Sequence, residues 1–198
     1  MSAENQLPAG KRGLVYVILS CVCLMWMFIA FGTRVYTIEG SGSSETWSDI
    51  WYSCSRGNSD AVAGCVYLTD KNIDCVKLED HIRATRAFYI LTAVFVVVSL
   101  AAGLVDMFGS LEGLPGGLGG AVVLAVCSAV VIVWSVLAWA LCISYPRTIF
   151  CSTNAAVDSD TFRWEASPFM MLMLTITAII QLVLALVFPG GPAAKTAA

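Results

Sequence analysis

Residues 14–32, LVYVILSCVCLMWMFIAFG, form a run of 19 residues without a charged side chain. Three further runs share this property, namely residues 87–105, 121–145 and 169–188. A helix needs about 17–25 apolar residues to cross the hydrocarbon core of a bilayer, so each run is long enough for one crossing. The runs lack the alternating polar face of a barrel strand, and only helices or closed barrels satisfy their own peptide groups in lipid. The sequence therefore predicts four transmembrane helices.

The composition of the whole chain agrees with this prediction. Of the 198 residues, 58% are hydrophobic and 13% are charged, and the mean hydropathy is +0.79. Soluble domains usually have about 45–50% apolar and about 25% charged residues. These values exclude a soluble enzyme, a nucleic-acid-binding protein and a disordered chain.

Four crossings place both termini on one side of the membrane and the two larger loops on the other. The segments outside the spans are residues 1–13, 33–86, 106–120, 146–168 and 189–198. Lys11 and Arg12 precede the first span and favour a cytoplasmic amino terminus, whereas the total count of basic residues favours the opposite orientation. That count loses force for a loop as long as 33–86. A cleaved signal peptide is the alternative interpretation of the first run.

The cysteines support loops outside the cell. Four of the eight lie in the spans, and the others, Cys54, Cys65, Cys75 and Cys151, all lie in the two large loops. An even set of thiols on one face is typical of disulfides formed in an oxidising compartment. A zinc site is the alternative, although the spacings differ from the short Cys-x-x-Cys pairs of zinc sites. Of three possible pairings we favour Cys54–Cys65 with Cys75–Cys151, and the others stay open.

The larger loop predicts a small antiparallel sheet. Residues 34–39, 47–54 and 64–69 are rich in β-branched and aromatic side chains, and glycine- and serine-rich segments separate them. So small a sheet needs the disulfide, and it needs Trp47 or Trp51 docked on the helix ends. From Leu78 the pattern becomes helical and continues into the second span. We therefore predict an all-α membrane protein of one domain, with a four-helix bundle and a small disulfide-bonded extracellular sheet.

Polar side chains are rare in the spans, and none suggests catalysis. We predict that Gln181 makes an interhelical hydrogen bond and that Ser99 and Gly103 permit close helix packing. The spans hold no charged residue or histidine that would mark an ion path. The only histidine, His81, is predicted to lie on the surface without a nucleophile or metal partner. We expect no enzymatic activity, cofactor or metal; a membrane thiol oxidoreductase is the enzymatic alternative.

One motif in the larger loop resembles a known family signature. The segment WSDIWYSC, residues 47–54, is followed after ten residues by Cys65. It resembles the first-loop signature Gly-Leu-Trp-x-x-Cys-x(8–10)-Cys of the claudin and peripheral-myelin/epithelial-membrane-protein superfamily. Asp49 stands where glycine is usual, and residues 82–88 resemble the family's start of the second helix. The residues that match the family motif are Ile50, Trp51, Cys54, Cys65 and Arg86.

Related branches remain open as alternatives. The tail 189–198 shows no PDZ-binding valine of the typical claudin kind and resembles the shorter tails of the epithelial-membrane-protein branch. Kinetoplastid amastins are a more distant alternative. The Cys65 to Cys75 spacing is similar to their cysteine signature, but Thr69 and Asp70 stand where tryptophan and glycine belong.

The resemblance implies a non-enzymatic plasma-membrane protein that mediates cell–cell contact, barrier formation or paracellular-channel assembly. Its partners would be the lipid bilayer and similar four-span proteins, as homo- or hetero-oligomers in cis and in trans, and no nucleic acid. The net charge of −2 in loop 33–86 predicts a weak cation preference. The candidate selectivity residues are Asp70, Asp74 and Glu79. The alternative function is an accessory or scaffold protein within one membrane, or an amastin-like surface protein.

Overall fold

The computed structural model of the chain describes residues 9–39, 44–56, 64–68, 76–108, 119–144 and 162–188. Four helices account for most of these residues. They are α1 (Ala9–Gly32), α2 (Val76–Met107), α3 (Gly120–Ser144) and α4 (Ala166–Val187). Each is long and apolar enough to cross a membrane, which confirms four candidate spans and identifies a multi-pass membrane protein.

Three of the four helices, α1, α2 and α4, are longer than the uncharged runs that predict them. Helix α1 begins at Ala9, and α2 extends from Val76 to Met107, so the helical segment expected before the second span is present. Two charged residues that flank the uncharged runs, Arg12 and Asp106, consequently lie inside helices. Charge placement predicts where the chain is apolar, whereas the helix continues until its backbone hydrogen bonding ends.

The sheet has five antiparallel strands in the order β4-β3-β2-β1-β5. They are β1 (Tyr36–Glu39), β2 (Glu45–Ser48), β3 (Tyr52–Arg56), β4 (Gly64–Tyr67) and β5 (Phe162–Trp164). The predicted small antiparallel sheet is therefore confirmed. Its fifth strand, which comes from the shorter of the two large loops, was not predicted. This strand has only three residues, too few to show a period-two pattern.

The strand-prone run 47–54 contains a hairpin turn, which its composition did not indicate. Strand β2 ends at Ser48 and β3 begins at Tyr52. Between them, Oδ1 of Asp49 accepts the backbone N–H groups of Trp51 at 2.6 Å and Tyr52 at 2.5 Å. The Asp49 N–H donates to the Tyr52 carbonyl at 3.0 Å. An aspartate that binds its own following backbone in this way reverses the chain, and the β-prone composition conceals the turn.

The chain divides into two compact units. Unit 1 comprises residues 1–25, 91–134 and 174–198, and unit 2 comprises residues 26–90 and 135–173. Unit 2 contains the sheet. Unit 1 has a buried core cluster of Tyr16, Leu124 and Ala185, against which two partly buried alanines pack.

Hydrogen bonds inside unit 1 connect several of its buried polar side chains. The Tyr16 hydroxyl lies 2.6 Å from the Ser128 hydroxyl and accepts a hydrogen bond of 2.9 Å from that of Ser99. The Gln181 amide donates to the Ser20 hydroxyl at 2.8 Å, which joins α4 to α1. The predicted interhelical hydrogen bond of Gln181 is therefore confirmed. An unpaired amide in this position would lose its hydrogen bonds to water without replacement.

Two glycines allow α1 and α2 to approach closely within unit 1. A Cβ atom on Gly103 would lie 2.9 Å from Cδ1 of Tyr16, which agrees with the small residues predicted at positions 99 and 103. The approach is tighter at Gly13, where an added Cβ would lie 2.5 Å from the backbone Cα of Met107. A tyrosine ring can shift, but a helix backbone can move only if the whole helix moves.

We expect Gly13→Ala to lower the free energy of unfolding by about 1–3 kcal/mol, as overpacking typically does. The control is Gly32→Ala, because no atom lies within 4 Å of a Cβ there. Helix content followed during denaturant titration in detergent measures both variants. Equal unfolding midpoints for Gly13→Ala and Gly32→Ala would show that the helices separate easily at this point.

Candidate functional site

The disulfide between Cys54 and Cys65 joins two neighbouring strands of the sheet. The two residues occupy directly opposite positions of β3 and β4, and their Cα atoms are 4.1 Å apart. This bridge is present as predicted. Closing a loop of this size contributes about 3 kcal/mol by chain-entropy arithmetic. Cys75 and Cys151 lie outside the described residues, so their pairing stays a prediction.

Arg86 of α2 holds the tip of the β2–β3 turn. Its Nε donates to the Ile50 carbonyl at 2.8 Å, and its Nη2 donates to the Trp51 carbonyl at 3.3 Å. The guanidinium carbon also lies 5.3 Å from the ring centroids of both Trp51 and Tyr67, at cation–π distance. We call Arg86 and these three partners the arginine anchor. It connects three residues that the family motif singles out: Ile50, Trp51 and Arg86.

Aromatic packing continues from the arginine anchor to the end of α1. The Trp51 ring stacks on Phe31 with centroids 6.3 Å apart, and Phe31 meets Tyr89 edge to face at 5.8 Å. Of the two tryptophans predicted to dock on a helix end, Trp51 does so. Trp47 lies under the guanidinium of Arg34, whose carbon is 4.3 Å from the ring centroid.

The side chain of the turn residue Ile50 is buried. Its side chain is only 5% exposed and lines a cavity of about 30 Å³ together with Ile82 and Thr85. This volume holds at most about two water molecules. The small volume and the burial of Ile50 are typical of packing rather than of a ligand-binding pocket.

Strand β5 is attached to the start of β1 by a ladder of hydrogen bonds. The Glu165 N–H donates to the Val35 carbonyl, and the Ser167 N–H donates to the Arg34 carbonyl, each at 3.1 Å. The Thr37 hydroxyl donates to a carboxylate oxygen of Glu165 at 2.8 Å. Together with the pairing of β1 and β5, these bonds join the two large loops. The predicted bridge between Cys75 and Cys151 would join the same loops and stays a prediction.

His81 lies closer to the interior of unit 2 than predicted. It is half-buried, and its Nε2 lies 2.8 Å from the carbonyl oxygen of Leu141 in the last turn of α3. The last four carbonyls of a helix have no intrahelical donor, so the imidazole supplies one. His81 thus lies on the helix extension as predicted, but it is only partly exposed.

Exposed charges on β1, β2 and β5 balance one another. Glu39 and Glu45 are directly opposite across β1 and β2, an arrangement that repulsion disfavours. Arg163 lies 3.1 Å from Glu39, and Arg34 lies 3.1 Å from Glu45. Exposed pairs of this kind contribute about 0–1 kcal/mol to stability. Their main physical effect is a surface of closely spaced opposite charges.

The candidate selectivity residues fall on both described and undescribed segments. Glu79 forms an ion pair with Arg83 one helical turn later, and its side chain is only 16% exposed. This pairing reduces the free negative charge that Glu79 would offer to a passing ion. Asp70 and Asp74 lie outside the described residues, so their assignment stays a prediction.

Two exposed tyrosines form the aromatic part of the sheet surface. Tyr52 is 44% exposed and Tyr67 is 41% exposed, and their rings meet edge to face with centroids 5.2 Å apart. They are directly opposite on β3 and β4. Tyrosine is enriched at protein–protein interfaces because it combines apolar area with a hydroxyl group. This tyrosine pair is the best candidate contact surface in the described part of the sheet.

The described residues contain no group of three or more His, Cys, Asp or Glu side chains able to hold a metal ion. Cys21, Cys23, Cys127 and Cys142 are free thiols on the helices. The fold and site thus define a class: a multi-pass membrane protein with four long apolar helices and a disulfide-bonded antiparallel sheet. Comparison with models of known families finds no match, and comparison with curated proteins finds none.

Proposed function

We propose that this chain is a non-enzymatic plasma-membrane protein of claudin type whose sheet mediates contact between cells. The arginine anchor is the observation that carries the proposal. Arg86 binds the carbonyls of Ile50 and Trp51 and stacks on Tyr67, so that α2 holds the sheet in a defined position. A contact surface held by a helix loses little conformational entropy when it binds a partner.

The disulfide supports an outward-facing sheet. Cys54–Cys65 joins strands in the larger loop, and such bridges persist in oxidising compartments. With four spans, a sheet outside the cell places both termini in the cytoplasm. Lys11 is exposed near the start of α1, and basic residues at such flanks favour a cytoplasmic position.

The surface chemistry supports assembly with similar proteins. The tyrosine pair Tyr52 and Tyr67 offers exposed aromatic area, and the ion pairs Arg34–Glu45 and Arg163–Glu39 offer charges of both signs. Among the strands that the structure describes, β4 lies at one end of the sheet. A strand of a second copy can extend a sheet at such an edge. Assembly in cis or in trans, and any barrier or channel that it forms, would use these features.

Imaging in non-adherent cells tests the contact function directly. We expect the tagged protein to concentrate where two expressing cells touch, and we expect Tyr52→Ser, which leaves every residue of the arginine anchor in place, to reduce this enrichment strongly. The control is Ser55→Ala, an exposed position on the same strand β3. All three forms should reach the cell surface equally. Uniform distribution of the wild-type protein would contradict the contact function and favour the accessory role within one membrane.

A further inference from the structure

One face of the sheet carries a row of four charged side chains across the neighbouring strands β5, β1, β2 and β3. Glu39 of β1 is directly opposite Glu45 of β2, and Glu45 is directly opposite Arg56 of β3. Directly opposite residues project from the same face of a sheet. Arg163 of β5 is opposite Thr37, two positions before Glu39, so it projects from that face as well. We call Arg163, Glu39, Glu45 and Arg56 the charge row.

The charge row lies at the end of the β2–β3 hairpin that is opposite the arginine anchor. Glu45 is the first residue of β2 and Arg56 is the last residue of β3. The turn that joins the other ends of these strands is held by Arg86, which immediately precedes the uncharged run 87–105 of α2. The charge row is therefore at the end of the hairpin farther from the point where α2 enters its apolar span.

The members of the charge row are accessible, and Arg56 differs from the others in its contacts. The side chains of Arg163, Glu39 and Glu45 are 71%, 55% and 33% exposed, and Arg56 is exposed as well. Arg163 pairs with Glu39, and Glu45 pairs with Arg34 through one carboxylate oxygen, Oε1. Within the described ranges, no ion pair joins Arg56 to another residue. A carboxylate accepts hydrogen bonds on both oxygens, so Glu45 has an acceptor for a second guanidinium.

The signs of the charge row indicate its partner. From β5 to β3 they read positive, negative, negative, positive, so the row has no net charge. A partner that carries one sign of charge would meet as many repulsive as attractive groups. A second copy of the chain fits better. A two-fold axis that passes between β2 and β3, at right angles to the row, reverses its order and places Glu45 of each copy opposite Arg56 of the other.

We propose that the β2–β3 hairpin binds the same hairpin of a second copy on the opposing cell, through reciprocal ion pairs between Glu45 and Arg56. The proposal rests on the contact function proposed above and identifies the partner as the same protein. Tyr52 supports it, because it is 44% exposed and lies on the strand and face of Arg56. The same symmetry between β5 and β1 would pair Arg163 with Glu39, but these side chains already bind each other within one copy.

Charge reversal in mixed populations of non-adherent cells tests the pairing. Each population expresses one tagged variant in its own colour, and enrichment at cell contacts is measured. When a population contacts itself, Glu45→Arg or Arg56→Glu alone places like charges together at both reciprocal positions. We expect the enrichment of either variant to fall roughly tenfold relative to the wild-type protein. Contacts between the two variant populations regain both attractive pairs, so their enrichment should return to nearly the wild-type level.

The control is Arg83→Glu, which reverses an arginine that is 53% exposed on α2, outside the sheet. Its enrichment should equal that of the wild-type protein, and all forms should reach the cell surface equally. Glu45→Arg places a new cation beside Arg34. If that variant does not reach the surface, Arg56→Glu decides alone. Its contacts with wild-type cells keep one of the two attractive pairs, so they should show more enrichment than its contacts with itself.

The outcomes separate this inference from the contact function. If wild-type cells enrich the protein but the mixed variant contacts do not recover, the contact function stands and the pairing is refuted. Recovery only when both variants are expressed in one cell would place the pairing within one membrane and overturn the proposal. A loss with Arg163→Glu but not with Arg56→Glu would move the contact to β5. Enrichment against cells that lack the protein would identify another partner, and no wild-type enrichment would refute both proposals.

Discussion

Replacing Asp106 with alanine is expected to lower the free energy of unfolding by about 3–5 kcal/mol, because it leaves a buried guanidinium without its counter-ion. The side chains of Arg12 and Asp106 are almost fully buried, and two hydrogen bonds join them to each other. The midpoint of unfolding in detergent, followed by helix content, measures the loss.

Two further variants separate the cost of an unpaired charge from the value of the pair. The double variant Arg12→Met with Asp106→Leu should be about as stable as the wild-type protein, because apolar side chains of similar size often replace buried ion pairs without loss. Arg163→Ala is the control for an exposed pair, since the side chains of Arg163 and Glu39 are 71% and 55% exposed. It should cost less than about 1 kcal/mol. An Asp106→Ala variant as stable as Arg163→Ala would disprove the importance of burial.

Replacing Arg86 with alanine should release the sheet from α2. The change removes two hydrogen bonds to carbonyls and two cation–π contacts, which together favour the docked sheet by about 2–4 kcal/mol. Hydrogen exchange of the β2 and β3 amides measures this release, and we expect it to accelerate by about tenfold or more. Arg86→Lys should have an intermediate effect, because lysine keeps the charge but lacks the planar fork of donors.

The control for Arg86 is Arg83→Ala on the same helix. Arg83 is 53% exposed and pairs with Glu79 at i,i+4, a contact that contributes about 0.3–0.5 kcal/mol. Exchange rates in β2 and β3 should therefore remain unchanged in this variant. If both variants exchange at the same rate, the disulfide and strand pairing alone hold the sheet, and the arginine anchor loses its assigned role. Contact enrichment in cells should fall for Arg86→Ala and not for Arg83→Ala.

The parts of the sheet that sequence patterns predicted depend on local chemistry. β-branched and aromatic residues indicate strands at 36–39 and 64–67, and the spacing of Cys54 and Cys65 indicates a bridge between neighbouring strands. The turn at Asp49 was missed because it depends on a single side chain. The Asp49 carboxylate accepts the backbone N–H groups of Trp51 and Tyr52, while the surrounding residues favour a strand. An aspartate inside a β-prone run was the available signal.

The buried ion pair shows why charge patterns mislead at the ends of spans. Arg12 and Asp106 each flank an uncharged run, so counting charges places both outside the spans. A single charge is placed outside a span because its burial costs free energy. Arg12 and Asp106 neutralise each other, and paired charges can be buried where single charges cannot. One signal for the pair was available in the sequence. With four crossings, the start of the first span and the end of the second lie on the same side of the membrane, and one carries Arg12 and the other Asp106.

By itself, the sequence determined the four apolar helices and the disulfide-bonded sheet, because hydrophobic length and strand propensity are properties of neighbouring residues. Tertiary structure decided which polar groups meet. Arg12 and Asp106 are 94 positions apart, and Arg86 and Ile50 are 36 apart. Such contacts depend on how helices and strands pack. The local sequence around a polar residue does not indicate which distant residue it will contact. The candidate contact surface of Tyr52 and Tyr67 is one consequence of that packing.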